Sequence, residues 1–169
     1  MIPDTNSKGE YLLWDNGKPL RHEKVEMIDG RKVIASIKPI IMKMKEAALK
    51  DGVILSLAAG LRTYGEQLQL RKDHATPKGN TDLNYLLNAD STDFSPVTAR
   101  PGYSNHHDGT AYDFNVTGKP DVYKWLFNNA DKFGFIRTVR SERWHWEYRP
   151  GKDKFSVVPK TDPTWDGLV

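Results

Sequence analysis

The chain has 169 residues, a length that suits a single domain and lets a sizeable core form without covalent staples. It contains no cysteine, which excludes disulfides and thiolate metal sites and leaves any metal to histidine, aspartate and glutamate. The formal net charge of +3 comes without a dense Lys/Arg block, so nucleic acid is not an expected partner. No apolar run is long enough to span a membrane. The opening "MIPDTNSKGEYLLWDNGKP" lacks a basic stretch followed by an apolar one, so no secretory signal peptide is expected.

Residues 1–35 read as a polar, irregular N-terminal arm with turn signals at "DNGKP" and "IDGRK". "SIKPIIMKMKEAALKDG" predicts a helix. Ile37, Ile40, Ile41, Met44, Ala47 and Ala48 fall on one face, Ser36 is placed to cap it, Pro39 fits the first turn and Gly52 ends it. "VILSLAAG" reads as a short buried strand, and "YGEQLQLRKDH" as a second helix with Leu68 in the core. From Ala75 to Arg100 the chain is polar and broken by Pro77, Gly79, Asn80 and Pro96. It reads as a long excursion with one helical turn near "DLNYLLN", suited to a lid or substrate wall.

"TAYDFNV" alternates like a strand. "KPDVYKWLFNNADKFGF" predicts a third helix, with Val122, Trp125, Leu126, Asn129, Ala130 and Phe133 on one side and Gly134 as its stop. "RWHWEYRP" reads as a strand, and the tail 151–169 as a polar segment packed on the surface. This order implies an α+β fold, a small, mainly antiparallel sheet with helices packed on one side. The implied organisation is an arm at 1–35, a functional domain at 36–150 and the tail, one domain overall.

Of the histidines, His22 and His74 stand in no carboxylate pattern and read as ordinary polar residues. His106 and Asp113 differ. Gly102 and Gly109 bracket a turn that brings the loop back onto "TAYDFNV", where Asp113 sits between Tyr112 and Phe114. A carboxylate buried in a strand needs a partner, either an arginine or a cation shared with a histidine. His107 competes with His106 for that role. Adjacent side chains of an extended segment point apart, so the two do not share one ion, and spacing does not choose between them.

In "SERWHWEY" the alternation puts Trp144 and Trp146 on one face and His145 and Glu147 on the other. Two histidines and one carboxylate form a common catalytic zinc set whose fourth position is left to water, with a pKa brought toward ~7. A carboxylate outside the coordination sphere then serves as base, and both Glu142 and Glu147 are candidates. The plainer roles are an ion pair with Arg149 for Glu147 and core packing for the tryptophans.

"SNHHDGTAYD" follows the pattern Ser-x-His-x-x-Gly-x-Ala-x-Asp, "ERWH" follows Glu-x-x-His, and "GLRTYGEQ" is close to Gly-Tyr-Arg-Ser-x-x-x-Gln. In this order, over residues 53–148, they resemble the zinc D-alanyl-D-alanine carboxypeptidases of the VanY/VanX type. That fold group also holds lysostaphin-type endopeptidases and the hedgehog signalling domain. The resemblance implies one Zn2+ ion held by His106, Asp113 and His145, with His107 at a variable position. It implies Glu142 as catalytic base, Arg62 as the group that steadies negative charge, and Gln67, Ser104 and Trp144 with Arg62 on the substrate side.

The implied substrate is a peptidoglycan stem peptide at the bacterial cell wall, in the periplasm or outside the cell. The implied reaction is D,D- or L,D-carboxypeptidase removal of terminal D-Ala. An L-alanyl-D-glutamate endopeptidase, as in a phage lysin or wall-attacking effector, and a non-catalytic zinc-binding recognition module are the alternatives. Leu61 and Thr63 stand where the family carries tyrosine and serine, which bears on pocket shape and substrate preference.

Overall fold

The computed structural model describes residues 1–76 and 80–169; Pro77 and Gly79 of the expected excursion lie outside the described residues. Two compact units emerge, one formed by Met1–Val25 with Leu61–Gly109 and the other by Glu26–Gly60 with Thr110–Val169.

In the first unit, β1 (Tyr11–Asp15) pairs antiparallel with β2 (Lys18–Glu23). The turn between them uses Asn16 at φ 47° and Gly17 at φ 78°, the positive dihedrals that a two-residue hairpin turn demands. The segment expected to be an irregular arm is therefore ordered, although "DNGKP" does mark its turn. A register shift between Leu12 and Trp14 re-aims the side chains, and Leu12, Leu13 and Trp14 are all buried. Trp14 N–H donates to the His107 carbonyl at 2.9 Å, so this hairpin braces the histidine loop.

Helix α2 (Tyr64–His74) matches its expected span. It opens on a capping box, in which the Thr63 side chain accepts from Glu66 N–H at 3.1 Å and Glu66 accepts from Thr63 N–H at 2.9 Å. Helix α3 (Leu83–Asn88) and a 3-10 turn at Ser91–Asp93 follow. Leu68, Ala75, Leu86 and Phe94 form a buried cluster. The fully buried Arg71 donates to the carbonyls of Leu86, Ala89, Thr98 and Ala99 at 2.9–3.2 Å and lies 4.1 Å from the Phe94 ring centre.

The second unit, from Glu26 on, carries the hairpin of β3 (Val25–Ile28) and β4 (Arg31–Ile34), with the turn signalled by "IDGRK". Helix α1 (Lys38–Lys50) buries Ile41, Met44 and Ala48. Its N-cap is Ile37 without a side-chain bond, which corrects the expected Ser36 cap. Val53, Leu55 and Leu57 are buried while Ile54 is 70% exposed, so the expected buried strand is half-buried, and only Leu57–Ala59 forms β5. Gly60 is obligatory at its end because a Cβ there would collide with the Lys32 carbonyl oxygen.

The main sheet has the order β5-β6-β8-β7, with β6 at Ala111–Phe114, β7 at Phe135–Arg137 and β8 at His145–Tyr148, all antiparallel. The fold is thus of the expected mixed kind, with small antiparallel sheets and few helices. Helix α4 (Pro120–Asn129) runs into a 3-10 turn that Gly134 stops at φ 85°. Strand β7, which follows at once, was not expected. Tyr112 and Phe114 meet Phe135 edge-on, with centroids 6.1 and 6.2 Å apart. The tail is more than a polar cover: Val158 and Trp165 are buried, and the Arg137 guanidinium lies 4.0 Å from the Trp165 ring. No helix among the described residues is long and apolar enough to cross a membrane.

Candidate metal centre

Strands β6 and β8 pair so that Asp113 faces His145 directly. Residues opposite each other across an antiparallel pair project to the same side, and here the Asp113 carboxylate oxygen lies 3.2 Å from His145 Nδ1. Glu142 comes from the loop between β7 and β8. A turn closed by Glu142 N–H on the Val139 carbonyl and His145 N–H on the Glu142 carbonyl, at 3.1 and 3.3 Å, folds it back. One of its carboxylate oxygens lies 3.5 Å from His145 Nδ1.

Alternation along β8 places Glu147 beside the same imidazole, 2.9 Å from Nε2. Glu147 also accepts from the Thr138 hydroxyl and, at 2.9 Å, from Arg149, so the expected ion pair with Arg149 exists as well. Burial pulls the His145 pKa down, but hydrogen bonds to Asp113 and Glu147 outweigh it and hold the metal-free ring up at about 9. Burial raises Glu147, while bonds from His145, Thr138 and Arg149 bring it down to about 2.

Trp146 is a core residue, buried with its indole N–H on the Arg143 carbonyl. Trp144 is 37% exposed and, with Ala58, Ala59, Asp113 and Lys119, helps to line a cavity of about 320 Å³.

His106 is buried; its backbone N–H donates to Ser104 Oγ at 3.3 Å and its carbonyl accepts from Arg62 N–H at 3.2 Å. His107 is wholly buried, with Nδ1 2.6 Å from the Arg62 carbonyl. A carbonyl only accepts, so Nδ1 carries the proton. Desolvation lowers the His107 pKa to about 4, against the opposing pull of that backbone bond, and the ring is neutral.

Arg62 Nη1 donates to Gln67 Oε1 at 3.2 Å, and Gln67 Nε2 donates to the Ala99 carbonyl at 2.8 Å. Gln67 is 1% exposed, so both ends of its amide are engaged inside the protein. His22 is exposed on β2, and His74 Nδ1 lies 2.7 Å from the Thr98 hydroxyl.

His106, in the first unit, and Asp113 and His145, in the second, are the three expected ligands. The donors are two imidazole nitrogens and a carboxylate oxygen, a set zinc accepts. Bonds of ~2.0–2.1 Å give a tetrahedron edge of about 3.3 Å. The 3.2 Å between Asp113 and His145 matches that edge. Sequence reasoning missed the Trp14 brace behind the histidine loop and the grip of Thr138 on Glu147. The Asn16-Gly17 hairpin signal marks the first of these, and no local signal marks the second.

The family model for VanY, D-alanyl-D-alanine carboxypeptidase, matches residues 30–151. The D-alanyl-D-alanine carboxypeptidase of Enterococcus faecalis is 30% identical over 143 residues, 75% of this chain and 52% of that protein. The chain spans about half the length of the curated relatives it matches. Among solved structures, VanYB in complex with D-alanine-D-alanine is 26% identical with a TM-score of 0.60, covering 93% of this chain and 92% of that one. A mutant of the vancomycin resistance D,D-pentapeptidase VanY from the VanB-type cassette, in complex with Zn(II), is 27% identical with a TM-score of 0.59, covering 81% and 86%. With the matched span taking in most of the chain and every motif quoted above, the chain belongs to the VanY family of D-alanyl-D-alanine carboxypeptidases.

Proposed function

We propose that the protein is a zinc carboxypeptidase that removes terminal D-alanine from peptidoglycan stem peptides at the bacterial cell wall, using one Zn2+ ion held by His106, Asp113 and His145. The observation that carries this reading is the pairing of Asp113 with His145, 3.2 Å apart at Nδ1 with the Glu142 carboxylate 3.5 Å from the same nitrogen, in a chain whose family match spans residues 30–151. Zinc, when bound, supplies Lewis acidity toward the scissile carbonyl and lowers the pKa of water to near ~7.

The chain's own residues do the rest. Glu142 is 39% exposed, open enough to meet water and substrate. Its carboxylate takes one proton from the attacking water and returns it to the departing amine, so the amide and water become a carboxylic acid and an amine. The Arg62 guanidinium donates to the negative charge of the peptide terminus or of the carbonyl oxygen during attack. Gln67 acts through Arg62, because its own amide is already engaged at both ends. Ser104 serves His106 by accepting its backbone N–H. Trp144 offers an apolar indole face beside the cavity next to Asp113.

The test is incubation of the zinc-loaded protein with muropeptides ending in D-Ala-D-Ala and with tetrapeptide stems ending in a single D-Ala, with and without chelator, read by mass spectrometry. Loss of one D-Ala, abolished by chelator and restored by zinc, is the expected result. Loss from the tetrapeptide alone assigns L,D specificity within the same reading. Cleavage inside the stem replaces it with an endopeptidase, and intact muropeptides after exposure to zinc-loaded protein remove it.

A further inference from the structure

We propose that Glu147 is a positioning residue that fixes the tautomer and the angle of the His145 ring, presenting Nδ1 as the metal-binding nitrogen. This inference rests on the zinc centre proposed above and names the part of the chain that sets its geometry. A neutral imidazole has one N–H and one lone pair, and only the lone-pair nitrogen binds a metal. An ionised carboxylate only accepts, so the Glu147 oxygen 2.9 Å from Nε2 puts the proton on Nε2. Nδ1 is left with its lone pair on the edge of the ring where the Asp113 and Glu142 carboxylates lie, at 3.2 and 3.5 Å.

Glu147 is itself held from several directions. The oxygen that meets His145 also accepts from the Thr138 hydroxyl, and the other oxygen accepts from Arg149 at 2.9 Å. Its backbone lies in β8, flanked by Ala111 of β6 and Ile136 of β7, so the strand cannot shift toward either side without breaking a ladder. The side chain is 6% exposed and that of His145 1% exposed, so bulk water does not compete for Nε2. Nε2 and Nδ1 lie on opposite edges of the ring. That geometry separates the two carboxylates read from "SERWHWEY" as candidate bases: Glu142 shares the Nδ1 edge, and Glu147 sits behind the ring. Partners of this kind orient a ligand and raise its basicity, and losing one costs about 10–100-fold in metal affinity.

The experiment compares the parent protein with Glu147→Leu, Glu147→Gln and Arg149→Ala. Zinc affinity is measured by competition with a chromogenic chelator. The tautomer of His145 is read from long-range proton–nitrogen NMR of the zinc-loaded protein, and the melting temperature is taken without metal. Glu147→Leu is expected to weaken zinc binding by about 10–100-fold and to remove the protected Nε2–H signal. Glu147→Gln keeps an acceptor and is expected to recover most of that loss, with the signal retained. Arg149→Ala, which loosens the carboxylate without removing it, is expected to weaken zinc binding less than the leucine variant.

A leucine variant with parental zinc affinity and tautomer overturns the inference, as does one that loses only metal-free stability. If the leucine variant does not fold, the glutamine variant decides, since the inference requires a weaker zinc site with the tautomer unchanged, and an affinity equal to the parent's overturns it. A parent protein that binds no zinc removes the metal centre itself. A parent that binds zinc alongside indifferent Glu147 variants removes only the role of Glu147.

Discussion

Strands β6 and β8 and the described residues between Leu83 and Arg100 both hold polar groups in fixed places, and they do so by opposite means. In the strand pair the backbone ladder satisfies the main chain, so side-chain placement follows from register: Asp113 stands opposite His145 and Glu147 opposite Ala111. Among the described residues of the 75–100 stretch there is a short helix and a 3-10 turn, and beyond one bridge from Ala75 to Phe94 the main chain joins no ladder. A single guanidinium from α2 takes four of its carbonyls. Order spread over a ladder tolerates the loss of any one side chain. Order concentrated in one side chain does not.

The largest effect expected from that contrast is at Arg71. Replacing it by methionine removes the guanidinium from the carbonyls of Leu86, Ala89 and Thr98, while the Ala99 carbonyl keeps the bond from Gln67. Each unsatisfied buried group costs about 1–3 kcal/mol, and partial relaxation brings the sum to about 3–5 kcal/mol. Chemical denaturation followed by tryptophan fluorescence measures this. Arg71→Lys is expected to recover only a fraction, because an ammonium is a point donor and cannot span four acceptors. A methionine variant within about 1 kcal/mol of the parent would mean that the carbonyls find other partners, and the contrast would collapse.

Glu142→Gln comes next and probes the ladder side. The variant leaves His145, Asp113 and their pairing in place, so zinc binding should be unchanged. Turnover of a D-Ala-terminated muropeptide should fall about 100-fold or more, the usual share of a general base. Full turnover with metal bound would move the base to another residue. A parallel loss of zinc would show that Glu142 supports the centre itself.

What the sequence made legible follows the same division. Asp113 and His145 were readable because "TAYDFNV" and "RWHWEY" alternate cleanly, and alternation predicts facing wherever a ladder is regular. Helix α2 was readable to the residue from its polar start and its length. Strand β1 was not, because its register shift buries Leu12, Leu13 and Trp14 in a row and erases the two-residue period. Strand β7 has three residues directly after Gly134 and offers no window long enough to show a period. Trp165 is one aromatic in a polar tail; its burial depends on Arg137, Phe127 and Phe155, far off in sequence or without pattern. Arg71 looked like any charged residue of an exposed helix face, since nothing local announces where a guanidinium's acceptors lie.

The smallest effect lies at the start of α2, where the two means meet. Thr63 is 4% exposed, so its hydroxyl serves the Glu66 N–H. Where the resemblance leads one to expect serine, threonine keeps the same capping oxygen. Thr63→Ala should cost about 1 kcal/mol, a fall of about 2–4 °C in melting temperature for a chain of this size. Arg62 precedes the cap by one residue and leans on Gln67 in the first turn, so fraying there loosens both. The catalytic efficiency kcat/KM should therefore fall a few-fold alongside the melting temperature, and Thr63→Ser should restore both. Calorimetry and steady-state kinetics on the three proteins separate the possibilities. A lower melting temperature with parental kcat/KM would show that Arg62 keeps its place without the cap, with Gln67 still holding it.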